Sequence, residues 1–169
     1  MTVNEQTLRQ EILERSVATT WDAALAEWEL SRIEFTSLRE PETCLCKHFP
    51  IIELCYLRNR INGVEALVGN VCVQKFLGIP SDTLFRGFKR IMVDPSKAAS
   101  QGVIDYATQR GWVSSWERGF CESMVRKRSL SPAQLSKRIE INQRITQRVA
   151  DARRRAISSI ETARSGGTP

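Results

Sequence analysis

The chain holds 169 residues, 41% of them hydrophobic, which suffices for one domain with a real core, or one domain plus a small module and an extension. No apolar run approaches the roughly 20 residues that a membrane span requires, and the polar, acidic opening MTVNEQTLRQEILERS is wrong for a secretory signal. A cytoplasmic, reducing setting is therefore expected, and stable disulfides are rare there.

The net charge of +6 is unevenly spread. Residues 1–43 carry 4 basic and 9 acidic side chains, residues 44–125 carry 10 and 7, and residues 126–169 carry 11 and 3. The C-terminal end is thus poised for an anionic partner.

In residues 1–43, Leu8, Ile12, Val17, Trp21, Leu25, Trp28 and Ile33 recur near helical spacing. This predicts one or two amphipathic helices that stop before Pro41. Residues 44–79 read as a small module. PIIELCYLRN and VEALVG are short, apolar and partly β-branched, and Asn62-Gly63 between them supplies the positive φ angles of a tight hairpin turn. Asn70 is a fitting N-cap for a short helix through Val71, Phe76 and Leu77 that ends near Gly78 and Pro80.

Residues 80–164 are predicted helical. Two short helices flank a turn at Asp94-Pro95, and Trp112, Trp116 and Phe120 form an aromatic stripe read as core packing. The last helix is the clearest: Ser131 caps it, Pro132 suits its first position and Gly166 marks its end. Its apolar seam runs through Leu135, Ile139, Asn142, Ile145, Val149, Ala152, Ala156 and Ile160, weakening after Val149 so that the last turns project. The tail, 165–169, is expected to be disordered.

Four of the five cysteines fall between Cys44 and Cys72. Disulfide, metal, catalysis and coincidence are the choices; the reducing setting disfavours the first. A Cys-x-Cys pair, a hairpin and a cysteine in the first turn of a helix form a zinc-module layout. Cys44 and Cys46 would sit on a tight knuckle, Cys55 on the first strand, and Cys72 where the helix dipole favours a thiolate. Four thiolates suit a closed, tetrahedral structural Zn²⁺ site, its charge offset by Lys47, Arg58 and Arg60. His48, the single histidine, is an alternative to Cys55 as ligand. Cys121 reads as a buried apolar residue. The fold class expected is mainly α with a small zinc-stabilised β-hairpin module, that is α+β, and a long basic C-terminal helix.

The segment CLCKHFPIIELCYLRNRINGVEALVGNVCV resembles a treble-clef-like Cys-x-Cys zinc module of bacteriophage, bacterial and large-DNA-virus proteins. That pattern is Cys-x-Cys-Gly, Pro-Ile, an Asn before a turn, then Val-Gly-x-x-Cys-Val and a Phe. It falls here on Cys44, Cys46, Pro50, Ile51, Asn59, Val68, Gly69, Cys72, Val73 and Phe76. Lys47 stands where the pattern has glycine. The stretch WERGFCESMVRKRSLSPAQLSKRIEINQRI is similar to the tail of such proteins, with its Leu-Ser-x-x-Gln helix start. The resemblance implies zinc and a nucleic-acid or mobile-element context, without a defined activity.

No enzyme is expected. The lone His48 lies beside candidate ligands, and no Gly-rich phosphate loop is present. Nucleic-acid binding through phosphate contacts is the leading expectation. On the module the contacts would be Arg58, Arg60 and Lys75; beyond it they would be Arg126, Lys127, Arg128, Lys137 and Arg138. Arg144, Arg148, Arg153, Arg154 and Arg155 extend the row. The alternative is a protein-interaction factor or inhibitor docking on a host or CRISPR-type nucleic-acid machine, with the same arginines meeting an acidic surface.

Overall fold

Thr2 opens helix α1 (Val3–Glu14): its hydroxyl accepts from the Glu5 amide at 3.2 Å, and the helix buries Leu8 and Ile12. A short α2 (Trp21–Leu25) follows. The computed structural model describes residues 1–166, which fall into two units, Met1–Asp82 and a second beginning at Thr83.

The helical reading of residues 1–43 holds only up to Leu25. Residues Trp28–Phe35 are strand β1, paired antiparallel to β2 (Glu53–Asn59), which pairs antiparallel to β3 (Glu65–Gly69). The reason for the misreading is a bulge. Leu30 pairs with Leu57 and Arg32 with Tyr56, so Ser31 is an extra residue. Trp28, Leu30, Ile33 and Phe35 therefore share one face despite their uneven spacing, and the sequence loses the strict alternation that marks a strand.

Buried polar groups fix where β1 begins. The Glu27 carboxylate accepts from the Val17 and Ala18 amides and from Asn59 Nδ2, at 2.9, 2.7 and 2.6 Å. The Trp28 indole N–H donates to Ser16 Oγ at 2.9 Å. The core face of the sheet carries Trp28, Ile33, Cys55, Leu57, Ala66 and Val68, all buried. On the other face Arg32 lies over the Tyr56 ring at 3.7 Å and pairs with Glu34 and Glu65.

The hairpin turn falls where the sequence predicts it, but Gly63 takes a positive φ (76°) and Asn62 does not; the connection runs from Asn59 to Glu65, with the Asn59 side chain accepting from the Ile61 and Asn62 amides. Helix α3 (Asn70–Leu77) ends at Gly78, φ 67°, as expected. Its N-cap, however, is Gly69, not Asn70. Asn70 is the first helical residue, and its buried amide donates to Glu53 while accepting from the Ser81 hydroxyl. Those two bonds hold the side chain towards Glu53 and Ser81.

Helix α4 (Ser81–Val93) starts at the end of the first unit; α5 (Gln101–Gln109), α6 (Ser115–Met124) and α7 (Pro132–Ser165) complete the second. Its core holds Phe85, Phe88, Ile91, Val103, Ile104, Ile141, Ile145 and Val149. Gly87 lets α5 approach α4: a Cβ there would lie 2.5 Å from Ser100 Oγ and 2.8 Å from Val103 Cγ2. The turn at Asp94-Pro95 is stapled to α7 by Asn142, whose buried amide donates to the Pro95 and Lys97 carbonyls at 2.7 and 2.8 Å. Ile141 joins the buried seam of α7, while Leu135 and Ile160 are exposed.

The aromatic stripe is not core. Trp112 precedes α6 and packs edge-on to Tyr106, whereas Trp116 is 64% exposed and stacks on Phe120 at 5.5 Å. A four-residue spacing brings those two rings together on the helix surface whether or not anything covers them. Ser165, the first residue of the expected disordered tail, is the last of α7; residues 167–169 lie outside the described residues. Among the described residues the architecture is α+β, with seven helices, one three-stranded antiparallel sheet and a long C-terminal helix. No helix among them is long and apolar enough to cross a membrane.

Gly87→Ala tests the α4–α5 approach. Better helix propensity favours it by about 1 kcal/mol, but crowding a stiff valine and a capping serine costs about 1–3 kcal/mol. Urea titration should find the variant less stable, by up to about 2 kcal/mol.

Glu117 offers a pH test. It completes the α6 capping box and accepts from Arg144 at 2.6 Å, with Lys137 at 3.5 Å. The Arg144 hydrogen bond, foremost, holds its carboxyl down to about 2 from an ordinary value of 4.5. A depressed folded-state pKa contributes stability that is full above the ordinary value and lost as pH falls towards the folded one. Glu117→Gln should be less stable than the parent at neutral pH, and the difference should shrink between pH 4.5 and about 2 in urea titrations.

Candidate metal centre and basic surface

The Cys44–His48 turn is closed by backbone bonds: the Lys47 amide donates to the Cys44 carbonyl at 2.8 Å and the Cys44 amide to the His48 carbonyl at 2.9 Å. Such a turn requires a left-handed residue, and Lys47 takes it at φ 69°. This is the position where the resembled pattern has glycine. Lys47 keeps the glycine conformation and ties its ammonium to Glu11 of α1 at 2.9 Å. The turn docks on the outer edge of β3 through Leu45, whose amide donates to the Leu67 carbonyl at 3.0 Å.

That docking aims three thiols at one point. Cys44, Cys46 and Cys72 have sulfur atoms all within 4.8 Å of one another, and Cys46 Sγ lies 3.5 Å from Cys72 Sγ. Zinc–sulfur bonds of about 2.3 Å at a tetrahedral centre imply sulfur separations of roughly 3.8 Å, so the trio could hold a metal ion. Cys72 is the third residue of α3, in its first turn, where backbone dipoles favour negative charge.

Backbone amides are arranged for thiolates. Gly69 N–H donates to Cys44 Sγ at 3.2 Å; the Cys46 amide also serves Cys44, and the His48 amide serves Cys46. The hydrogen bond from Cys72, with those amides, holds the Cys44 thiol down to about 5. Cys72 is pushed up by sharing its proton with Cys44, and Cys46 by burial. A metal would bind the thiols as thiolates and displace their protons.

Cys55 is not brought to this cluster. It sits on the core face of the middle strand between Ile33 and Val68, fully buried, with its thiol against the Ser81 hydroxyl. Burial pushes its pKa up to about 12, which suits an apolar residue rather than a thiolate ligand. Strand alternation is the physical cause: neighbouring Leu54 pairs with Gly69, beside the sulfurs, while Cys55 points to the opposite face. His48 is exposed, and its ring nitrogens lie outside the 4.8 Å set. Cys121, half-buried on α6, is remote in sequence and outside the cluster.

The expected phosphate contacts divide in two. Arg138 donates to the Ser96 and Met124 carbonyls, Arg144 to Glu117, and Lys137 pairs with Glu140 and Glu117. These three serve the packing of α7. Arg60 donates to the Ala26 carbonyl, and Lys75 lies over the Phe76 ring at 5.3 Å. Lys127 reaches Gln134, Arg153 is half-buried, and Arg154 pairs with Asp151 at 2.7 Å. Arg58, Arg126, Arg128, Arg148 and Arg155 are exposed. Lys47 and Arg60, expected to offset the charge of a metal centre, are thus engaged elsewhere.

The fold and the sulfur trio define an α+β protein with a candidate three-thiol metal centre. No protein-family model matches the sequence, and neither a curated protein nor a solved structure matches it.

Serine substitution separates the thiols. Cys46→Ser and Cys72→Ser should each abolish stoichiometric zinc or cobalt binding, measured by elemental analysis and thiolate-to-cobalt absorption. Cys121→Ser should leave both unchanged. Retention of full metal affinity in Cys72→Ser would remove the trio as a site.

Proposed function

We propose that this is a zinc-binding, nucleic-acid-binding accessory protein of the phage or mobile-element type that the resemblance implies. Zinc on Cys44, Cys46 and Cys72 would hold the turn, β3 and α3 together. Structural zinc contributes on the order of 10–16 kcal/mol in small peptide modules, enough to rigidify a sheet of three strands. In this reading the protein is not an enzyme: the basic residues bind, and the metal builds.

The observation that carries the nucleic-acid reading is the exposed face of α7. Arg148 and Arg155, seven residues apart, share one stripe and are exposed, with Arg154 exposed beside them. Helical arginines without a packing duty suit phosphate backbone, which they would bind without sequence preference. Replacing Arg148, Arg154 and Arg155 by Gln should weaken binding to random DNA and RNA alike. The log–log salt slope should flatten by up to about two to three, since each phosphate contact adds roughly 0.7–0.9. Absence of any salt-dependent binding by the parent protein at low ionic strength would overturn this reading.

A second reading is supported by Ile157 and Ile160, apolar and exposed three residues apart on the same helix. They suit a protein-interaction factor or inhibitor docking on a host or CRISPR-type nucleic-acid machine, with the arginines meeting carboxylates.

A further inference from the structure

Of the three cysteines, Cys72 borders open space. Cys44 and Cys46 are each 1% exposed, while Cys72 is half-buried and lines a groove of about 580 Å³. A tetrahedral metal centre with three protein donors leaves one position open, and Cys72 is the donor that borders the groove. The groove wall is largely apolar, with Pro50, Ile51, Val71 and Phe76. Its polar residues are Thr2, Asn4, His48, Glu53, Asn70 and Lys75. The Glu53 carboxylate accepts from Asn70 at 2.7 Å, the Thr2 hydroxyl caps α1, and the Lys75 ammonium repels a cation.

His48 is the imidazole donor of the groove that Cys72 lines, and a neutral imidazole suits a thiolate-rich zinc or cobalt site. Its backbone is already tied to two of the ligands: its amide serves Cys46 Sγ and its carbonyl accepts from the Cys44 amide at 2.9 Å. Its ring is exposed and makes no hydrogen bond among the described residues, so turning it towards the sulfurs breaks none. We propose that His48 is the fourth ligand, giving a Cys₃His centre whose imidazole forms part of the groove wall. This rests on the metal reading and replaces the four-cysteine set with one that the backbone preorganises.

The chain has a single histidine, so its ring can be observed without ambiguity. The experiment loads protein carrying ¹⁵N-labelled histidine with Co²⁺, and separately with ¹¹³Cd²⁺. Thiolate-to-cobalt absorption with tetrahedral d–d bands is expected, together with ¹⁵N–¹¹³Cd coupling at one ring nitrogen. His48→Ala should retain the thiolate absorption, shift the d–d bands and lose at least roughly tenfold in zinc affinity, since even outer partners of a ligand cost 10–100-fold. Added imidazole, entering the groove, should restore the parent spectrum. Cys55→Ser should leave the cobalt spectrum unchanged. If the parent gives no thiolate-to-cobalt absorption, the metal reading itself fails. If that absorption is present but the ring nitrogens show no coupling, the trio stands and the His48 assignment is overturned; loss of the spectrum in Cys55→Ser would then name the fourth thiol instead.

Discussion

The amide of Gly69 is the point on which the N-terminal unit turns. It ends β3, caps α3 and donates to Cys44 Sγ at 3.2 Å. One residue thus joins the sheet edge, the helix start and the cysteine turn. A Cβ at Gly69 would come within 3.1 Å of Ile51 Cγ2, so the close seating of this junction against Ile51 depends on the missing side chain. The distances among the sulfurs follow from it: Cys44 is placed by the amide, and Cys72 by the first turn of the helix that Gly69 begins.

Around this junction the charges are arranged to hold structure. Lys47 spends its ammonium on Glu11, so the strained left-handed residue of the turn is also its tether to α1. In the C-terminal unit Lys137, Arg138 and Arg144 fasten α7 to neighbouring turns and to α6. The half-buried Arg144–Glu117 contact is stronger than a solvated surface pair. The expected contact residues that stay exposed are spread over β2, the segment before α7 and α7 itself: Arg58, Arg126, Arg128, Arg148 and Arg155. Charge counting along the chain cannot make that division, because a paired and an unpaired arginine read alike.

Much of the fold is legible in the residues. The hairpin at Asn62-Gly63, the stop at Gly78, the turn at Asp94-Pro95 and the capping box at Ser131 each have a local cause, and each forms where its residues stand. β1 was hidden because a bulge at Ser31 breaks its alternation, and because pairing with β2 outweighs local helix preference. The Trp116–Phe120 pair looked buried because aromatic spacing records which residues are neighbours, not what lies above them.

Of the candidate centre, the sequence determined the Cys-x-Cys turn and the thiol in the first turn of a helix, since both depend on bonds between near neighbours. Only the tertiary structure decided which cysteines meet. Cys55 is eleven residues from Cys44 and Cys72 is twenty-eight, yet the nearer one is turned into the core by strand alternation. The farther one is carried back to the turn by the hairpin and α3. Proximity in a folded chain is set by pairing register and side-chain direction, and neither is written in the spacing of the residues themselves.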